Sequence, residues 1–428
     1  MKSDKYVIEK LNLTTLTPIF IGDDQGSDLS PITDFVVENS KAKIIDQNKF
    51  EEVLSKDIEL IDEYVQAIKL KKIDLESFIK DKLNVDLNNL TKSEIEIEGC
   101  LANNKVSPFI SSAGRPFIPG STIKGAIRTA IFYNYLVQEI QNNNTQLKKF
   151  VNEKLNSFES DTDGHEFRHL QISDSNCIDV SDTKFIELFI EYLVKDHHKT
   201  SGWKQVLNDN TITSFQLKIE KKFKANFLQG INENTYNDVF KMANKFSCDI
   251  IDFELKRFEE FIENGKQHKI KLQETFKDII SFYTELKSNI KFGNNMFAVL
   301  RIGGGKTYFD NSIGLALFNY DEEKFKDFRK GLGFWKHSKK KGQKFRDFVE
   351  EDSPITRTFY YDKSKNANLP IGWCLIYFDK DKNDVAKIFK LEKTNKPKAE
   401  KKPVKKVDKK SFDKNYAESQ LSHLIKKH

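Results

Sequence analysis

The sequence predicts an α+β protein in which helices pack on short sheets, and three observations carry that prediction. Segments alternating apolar and polar residues with a period of two recur between segments of helical period, along a chain of 428 residues. Phenylalanine is abundant at 35 residues while Met is only 3 and Pro 9, so apolar material for ordinary cores is plentiful. No uninterrupted apolar stretch approaches the roughly 20 residues of a membrane span, and the opening MKSDKYVIEK is too charged for a signal peptide. A cytoplasmic protein of about two or three domains that does not enter a membrane is expected.

The elements follow in order. Residues 6–18 alternate Val7, Leu11, Leu13 and Leu16 as a strand and end in Ile21-Gly22 and a polar loop. Residues 32–45 read as a hairpin turning at Asn39-Ser40, and residues 48–90 as a charged helical insertion on the surface. The strand-like IEIEGCLA and VSPFISS precede a turn at Gly114 and a basic helix reaching about Gln141. HLQISDSNCI at 169–178 and residues 211–219 read as further strands. Two long helices follow at about 236–263 and 269–288; the second places Leu272, Phe276, Ile279, Tyr283 and Leu286 on one stripe. Residues 296–302 and 373–378 are the closing strands. Sheet faces covered by helices on one side are expected.

The net charge of +6 is a property of the end of the chain. Residues 393–428 carry twelve Lys against four acids, which leaves the body slightly acidic. EKTNKPKAEKKPVKKVDKK predicts a disordered basic linker, either a solubility tail or a nonspecific phosphate binder, followed by a segment able to form a short amphipathic helix. The four cysteines, Cys100, Cys177, Cys248 and Cys374, are far apart with no CxxC pair. That spacing argues against a zinc site and a disulfide framework and predicts reduced, buried thiols.

The most informative stretch is GRPFIPGSTIKGAIRTA, residues 114–130. Ser121 is the expected N-cap, with Ile123, Ala126, Ile127, Ala130 and Ile131 forming the inward stripe. An acid at the third helical position would complete a capping box, but Lys124 stands there and Arg128 follows one turn later. Both cations oppose the positive end of the helix until an anion binds. Gly120, Ser121, Thr122, Lys124 and Arg128 are therefore candidate phosphate-backbone contacts; the alternative is a surface helix that happens to be basic. The second candidate is RIGGGKT, residues 301–307. Leu300 stands where a P-loop needs its first glycine, so this is no Walker loop. Successive glycines let backbone approach a ribose-phosphate chain closely, with Gly304 expected to need positive φ or close approach. Arg301, Gly303, Gly304, Gly305, Lys306 and Thr307 make up this second set; the alternative is a flexible turn.

These residues carry a resemblance. PFIPGSTIKGAIRTA is similar to the signature helix of the RAMP superfamily of CRISPR proteins, and IGGGKTYF resembles that superfamily's glycine-rich loop. Ile21-Gly22, ITDFVV and LQISDS occupy the places expected of the type III branch. SPITRTFYY at 353–361 and LPIGWCLIYF at 369–378 resemble the family of fifth subunits of the type III-A Csm effector complex. The match leaves out the 48–90 insertion, the middle helices and the Lys-rich tail.

The resemblance implies two ferredoxin-like, RRM-like modules: an N-terminal one over 1–220 carrying the insertion, and a helical segment plus second module over 221–392 with the glycine loop. The basic tail occupies 393–428. It further implies a noncatalytic subunit that binds the 3′ part of the CRISPR RNA (crRNA), caps the filament of backbone subunits and supports 3′-end maturation. Its partners would be crRNA, target RNA, and the backbone RAMP and small helical subunits of the Csm complex, with no cofactor and no metal. Specificity would come from base pairing, while the protein holds the backbone.

For catalysis, Asp23, Asp24, Asp28 and Asp34 lie after the first strand, where related backbone subunits carry a cutting aspartate, but spacing singles out none of them. His165 and His169 are four residues apart in a polar stretch and read as ordinary exposed histidines, as does His197-His198. The alternative function is a RAMP endoribonuclease that processes or cleaves RNA; a subunit capping the 5′ end is a third reading.

Overall fold

The computed structural model describes residues 6–23, 27–70, 74–142, 166–192, 198–220, 236–263, 270–323, 325 and 356–391. The strands in the first half are β1 Tyr6–Thr15, β2 Phe35–Glu38, β3 Lys41–Ile45, β4 Thr91–Glu98, β5 Val106–Ser107, β6 Ser111–Ser112 and β7 Arg115–Pro116. They continue with β8 Leu170–Ile172, β9 Thr183–Tyr192, β10 His198–Leu207, β11 Ile212–Glu220, β12 Phe297–Arg301, β13 Thr356–Asp362, β14 Ala367–Pro370 and β15 Trp373–Phe378.

The mixed α+β class holds, but the two sheets do not divide the chain at residue 220. One sheet runs β12-β15-β1-β11-β8 and takes strands from both halves of the sequence. β1 sits between β11, paired Leu13↔Thr213, and β15, paired Leu13↔Ile376, both antiparallel. Within it the order β15-β1-β11-β8, with a helix after β1 and another after β11, is that of a split βαβ sheet to which β12 has been added. The second sheet runs β14-β13-β9-β4-β3-β2, with β10 pairing β9 and β5, and again joins late strands to early ones. The described residues up to Leu391 accordingly fall in one compact unit. The Lys-rich tail lies outside the described residues.

Period-two alternation sends the sheet's side chains to two cores. Leu11 and Leu13 of β1, Ala298 and Leu300 of β12 and Cys374 and Ile376 of β15 face a core shared with the basic helix. Phe297, Val299, Trp373, Leu375 and Tyr377 face a second core with Phe276, Ile279, Tyr283 and Leu286 of the helix Ile270–Phe292. Apolar cores thus lie on both faces of the sheet, not on one as expected. The helix Tyr236–Glu263 contributes to both, with Phe240 and Phe246 in the first and Ile251 and Phe258 in the second.

The insertion is helical, as expected. Asp46, Asp57, Asp74 and Asp86 accept backbone N–H bonds at four of its helix starts. Phe50, Leu54, Leu75, Phe78 and Ile79 give it a small core of its own. The hairpin turns at Asn39 and Ser40, whose φ values of 52° and 61° are those of a two-residue primed turn. HLQISDSNCI gives a strand only at Leu170–Ile172; the remainder is a loop, and a 3-10 turn, Glu166–His169, precedes it. β9, β10 and the β13–β14 hairpin have no counterpart in the element reading of the sequence. All four cysteines are free, but only Cys374 is buried; Cys100 and Cys177 are exposed and Cys248 is intermediate.

Candidate nucleic-acid interface

The basic helix spans Gly120–Asn142 and begins two residues earlier than an N-cap at Ser121 implies. The Pro119 carbonyl accepts from Thr122 N at 3.0 Å and Ile123 N at 3.3 Å, so Ser121 lies inside the first turn and is not the N-cap. Gly120 N donates to Asp174 Oδ1 at 2.7 Å, placing a carboxylate of the chain itself at the positive end of the helix. Ile118 N donates to Ser175 Oγ at 2.9 Å. The LQISDS segment therefore pins the helix start.

Gly120 is packed rather than presented: a Cβ there would stand 2.4 Å from Ile172 O and 2.7 Å from Ser173 O. Ile123, Ala126, Ile127, Ala130 and Ile131 are buried as the spacing predicted. Ser121 and Arg128 are exposed, and Thr122 and Lys124 are half-buried. The Arg128 guanidinium lies over the Phe167 ring, 5.8 Å from its centroid. Burial, together with the charge of Arg128, lowers the Lys124 ammonium below the ordinary lysine range.

The glycine loop is rigid. Gly303 and Gly305 have φ of 75° and 76°, so the positive φ falls on either side of Gly304 and not on it. A Cβ on Gly303 would be 2.2 Å from Phe20 O, and one on Gly305 2.6 Å from Ile371 Cγ1. Gly304 N donates to Phe20 O at 2.8 Å, and Ile302 N to Gly372 O at 2.8 Å.

Arg301 is buried beneath this turn. It donates from Nη1 to Asp310 Oδ2 at 3.1 Å, from Nη2 to Gly305 O at 3.0 Å and from Nε to Ile371 O at 3.0 Å. Its expected role as an RNA contact gives way to that of a staple for the loop. Asp310 also accepts from Thr307 N at 2.5 Å. The Thr307 hydroxyl oxygen is buried and finds no hydrogen-bond partner among the described residues. Lys306 is half-buried. Burial and the Arg301 charge lower its pKa, against the pull of Asp310.

The two elements meet the same core, which contains Ile123, Ile127, Ile302 and Phe309. The loop also rests on Phe20 O, and the Phe20–Gly22 segment pairs in turn with Phe109 through Gly22. Lys204 is a cation the sequence reading missed. Its ammonium sits 5.3 Å from the centroid of the Phe20 ring, against which Gly304 also packs, and donates to Ser107 Oγ at 2.8 Å. Only the pairing of β10 with its neighbours brings it to the loop, and no local motif announces it.

The candidate catalytic residues do not converge. Asp28 accepts from Ser107 Oγ at 2.7 Å and Asp34 from Ser30 N at 2.7 Å, both as turn and loop supports. His169 is half-buried, not exposed, with its Nδ1 2.6 Å from Glu220 Oε2. Asp24, His165 and His197 lie outside the described residues. Among the described residues no group of His, Cys, Asp and Glu is placed to hold a metal, and no helix is long and apolar enough to cross a membrane.

A glycine turn closed on Phe20 and Ile371 and flanked by the half-buried Lys204 and Lys306 shares one core with a basic helix start. Residues 12–309 match the model of the RAMP superfamily, and the chain belongs to that superfamily. It is 28% identical over 392 residues to the CRISPR system Cms protein Csm5 of Methanocaldococcus jannaschii, covering 84% of this chain and 86% of that protein. Its fold is that of a chain in a cryo-EM structure of a Csm-crRNA-target RNA ternary complex of a type III-A CRISPR-Cas system. There the TM-score is 0.61 at 18% identity, covering 86% of this chain and all of the other. The crystal structure of T. onnurineus Csm5 is also similar, with a TM-score of 0.54 at 15% identity over 85% of this chain and 99% of the other.

Proposed function

We propose that this chain is a noncatalytic RNA-binding subunit of a type III-A CRISPR effector complex. In this reading it holds the 3′ part of the crRNA, caps the filament of backbone subunits and so defines the 3′ end of the guide. The observation that carries it is the similarity to Csm5, which runs through both the basic helix and the glycine loop and covers most of both chains. The site's chemistry supports it. Lys124, Arg128, Lys204 and Lys306 offer charge to phosphates, while Gly303, Gly304 and Gly305 let the backbone of a ligand come close.

Assembling the complex with and without this protein tests the proposal. Omission should give guide RNAs with ragged, poorly trimmed 3′ ends, and the purified protein should bind but not cut a repeat RNA in the presence of divalent metal. Normal 3′ ends without the protein would remove the capping role.

A second reading, an endoribonuclease, is favoured by the His169–Glu220 pair, which has the spacing of a base and the group that orients it. Cutting by the isolated protein that disappears in His169→Ala, with RNA affinity retained, would establish that reading instead.

A further inference from the structure

The five-stranded sheet is unequally covered. Toward β12 and β15 one of its faces is sealed by the second core, with Trp373, Leu375 and Tyr377 buried. That face continues across the sheet to the end where β1 enters, and there it is open. The register Tyr6↔Glu220, Ile8↔Lys218 and Lys10↔Gln216, with Lys218↔Gln171 beyond, fixes which side chains share it. Ile8 is 46% exposed, and Lys10, Gln171 and Gln216 are exposed as well. The other face of the same strands is closed by Leu170, Leu217 and Ile219 against the core under the basic helix.

The open patch has a definite chemistry. The Lys218 ammonium stands 3.9 Å from the centroid of the Tyr6 ring. The exposed Arg168, which hydrogen-bonds His169 at 3.4 Å, flanks the patch at the edge strand. Among the described residues Lys10 and Lys218, with Arg168 at the edge, are set against one carboxylate of this face, Glu220, itself paired with His169. Two cations with a third at the edge, an aromatic ring and two exposed amides on the open face of a split-βαβ sheet match a single strand of RNA better than a protein surface. Phosphates meet the cations, an unpaired base meets the ring, and the amides reach base or sugar edges.

We propose that this open half of the sheet is a second RNA-binding surface, which takes an unpaired stretch of the guide strand. The assignment of the guide as the ligand rests on the crRNA-binding role proposed above. The surface lies away from the glycine loop. The loop packs beyond the far end of β1, and the nine steps from Tyr6 to Thr15 span about 30 Å at about 3.3 Å each. The opposite face carries the basic helix, so the strand would be held at two separated places.

The test measures binding of the full-length protein to a labelled single-stranded guide 3′ segment, and to the same segment annealed to its complement. Lys10→Gln with Lys218→Gln should weaken single-strand binding about tenfold and lower the salt slope by about 0.7 for each phosphate left without a cation, with duplex binding nearly unchanged. Tyr6→Leu should cost several-fold on the single strand alone. Lys10 is exposed, so Lys10→Gln by itself keeps the test valid if Tyr6→Leu unfolds. Photocrosslinking in the assembled complex should join the Tyr6 peptide to the guide and not to the target. Single-strand affinity unchanged in the double lysine variant, or a Tyr6 crosslink to the target strand, would overturn the proposal. Loss on the sheet variants with none on Lys124→Ala and Lys306→Ala would keep the surface and overturn the glycine-loop reading.

Discussion

The glycine loop and the basic helix both set cations beside glycine, yet they are held in different ways. The loop is fixed from within: Arg301 gathers Asp310, Gly305 O and Ile371 O beneath it, and two residues at positive φ close the turn on Phe20 and Ile371. The helix start is fixed from behind, by Asp174 and Ser175, and its own charges look outward. The buried Arg301–Asp310 pair therefore maintains the shape of the loop, whereas Ser121 and Arg128 of the helix start reach the surface. Substitutions should separate the two, with the loop answering in stability and the helix in affinity.

The largest effect should come from Asp310→Ala. The side chains of Arg301 and Asp310 are 5% and 2% exposed, so the variant leaves a buried guanidinium without its anion. The expected loss is about 3–5 kcal/mol in denaturant unfolding, accompanied by loss of RNA binding as the loop opens. A stability change below about 1 kcal/mol would mean that the pair does not hold the loop.

Next in size is a contrast inside the loop. Gly303→Ala adds a Cβ to a residue at positive φ facing a backbone oxygen that cannot step aside, and should cost about 1–3 kcal/mol. At Gly304→Ala the added carbon would press only on the Phe20 side chain, at 3.1 Å, with Phe20 O at an ordinary 3.7 Å, and should be tolerated with a small loss. Equal effects in thermal unfolding would contradict the geometry.

That contrast also marks where the sequence was legible. GRPFIPGSTIKGAIRTA displayed its helix and inward stripe, because helical periodicity is written in adjacent turns. The start was misplaced by two residues, since the Pro119 carbonyl is the acceptor and the cap is Asp174, some fifty positions later. RIGGGKT showed a loop that backbone could use but not the role of Arg301. Its partners sit at Gly305, Asp310 and Ile371, and the last is a backbone atom in the distant turn between β14 and β15. The sharing of one sheet by both halves of the chain was hidden for the same reason: β1 pairs with β15 across almost the whole chain, Thr15↔Cys374, and no local signal announces such a pairing. The contact of Lys218 with the Tyr6 ring was likewise hidden, because only the register against β11 brings the two together.

On the helix side, Lys124→Ala with Arg128→Ala should leave the unfolding midpoint almost where it was. Guide affinity should fall about tenfold, uniformly across sequences, and the salt slope should drop by about 0.7 for each phosphate that the variant no longer neutralises. Unchanged affinity and slope would remove the helix from the interface. A large loss of stability would show that the two elements are held alike after all.

The smallest effect is a pH dependence that the two elements should share. Burial lowers the pKa of both Lys124 and Lys306, so in the free protein each gives up its proton at lower pH than an unfolded lysine. Between the folded and unfolded pKa values the unfolded chain holds more protons, and the stability of the free protein should therefore rise with pH across that window. A phosphate favours the ammonium, so RNA affinity should move the opposite way, falling as pH climbs toward the ordinary lysine value of about 10.4. Lys124→Arg and Lys306→Arg each keep a charge throughout that range. Each should flatten part of a several-fold decline measured by titration at fixed ionic strength, and the pair should flatten it most. Wild-type affinity that stays level to about pH 10 would show that neither ammonium contacts phosphate. A decline that Lys306→Arg leaves intact and Lys124→Arg removes would assign the contact to the helix and leave the loop only its backbone.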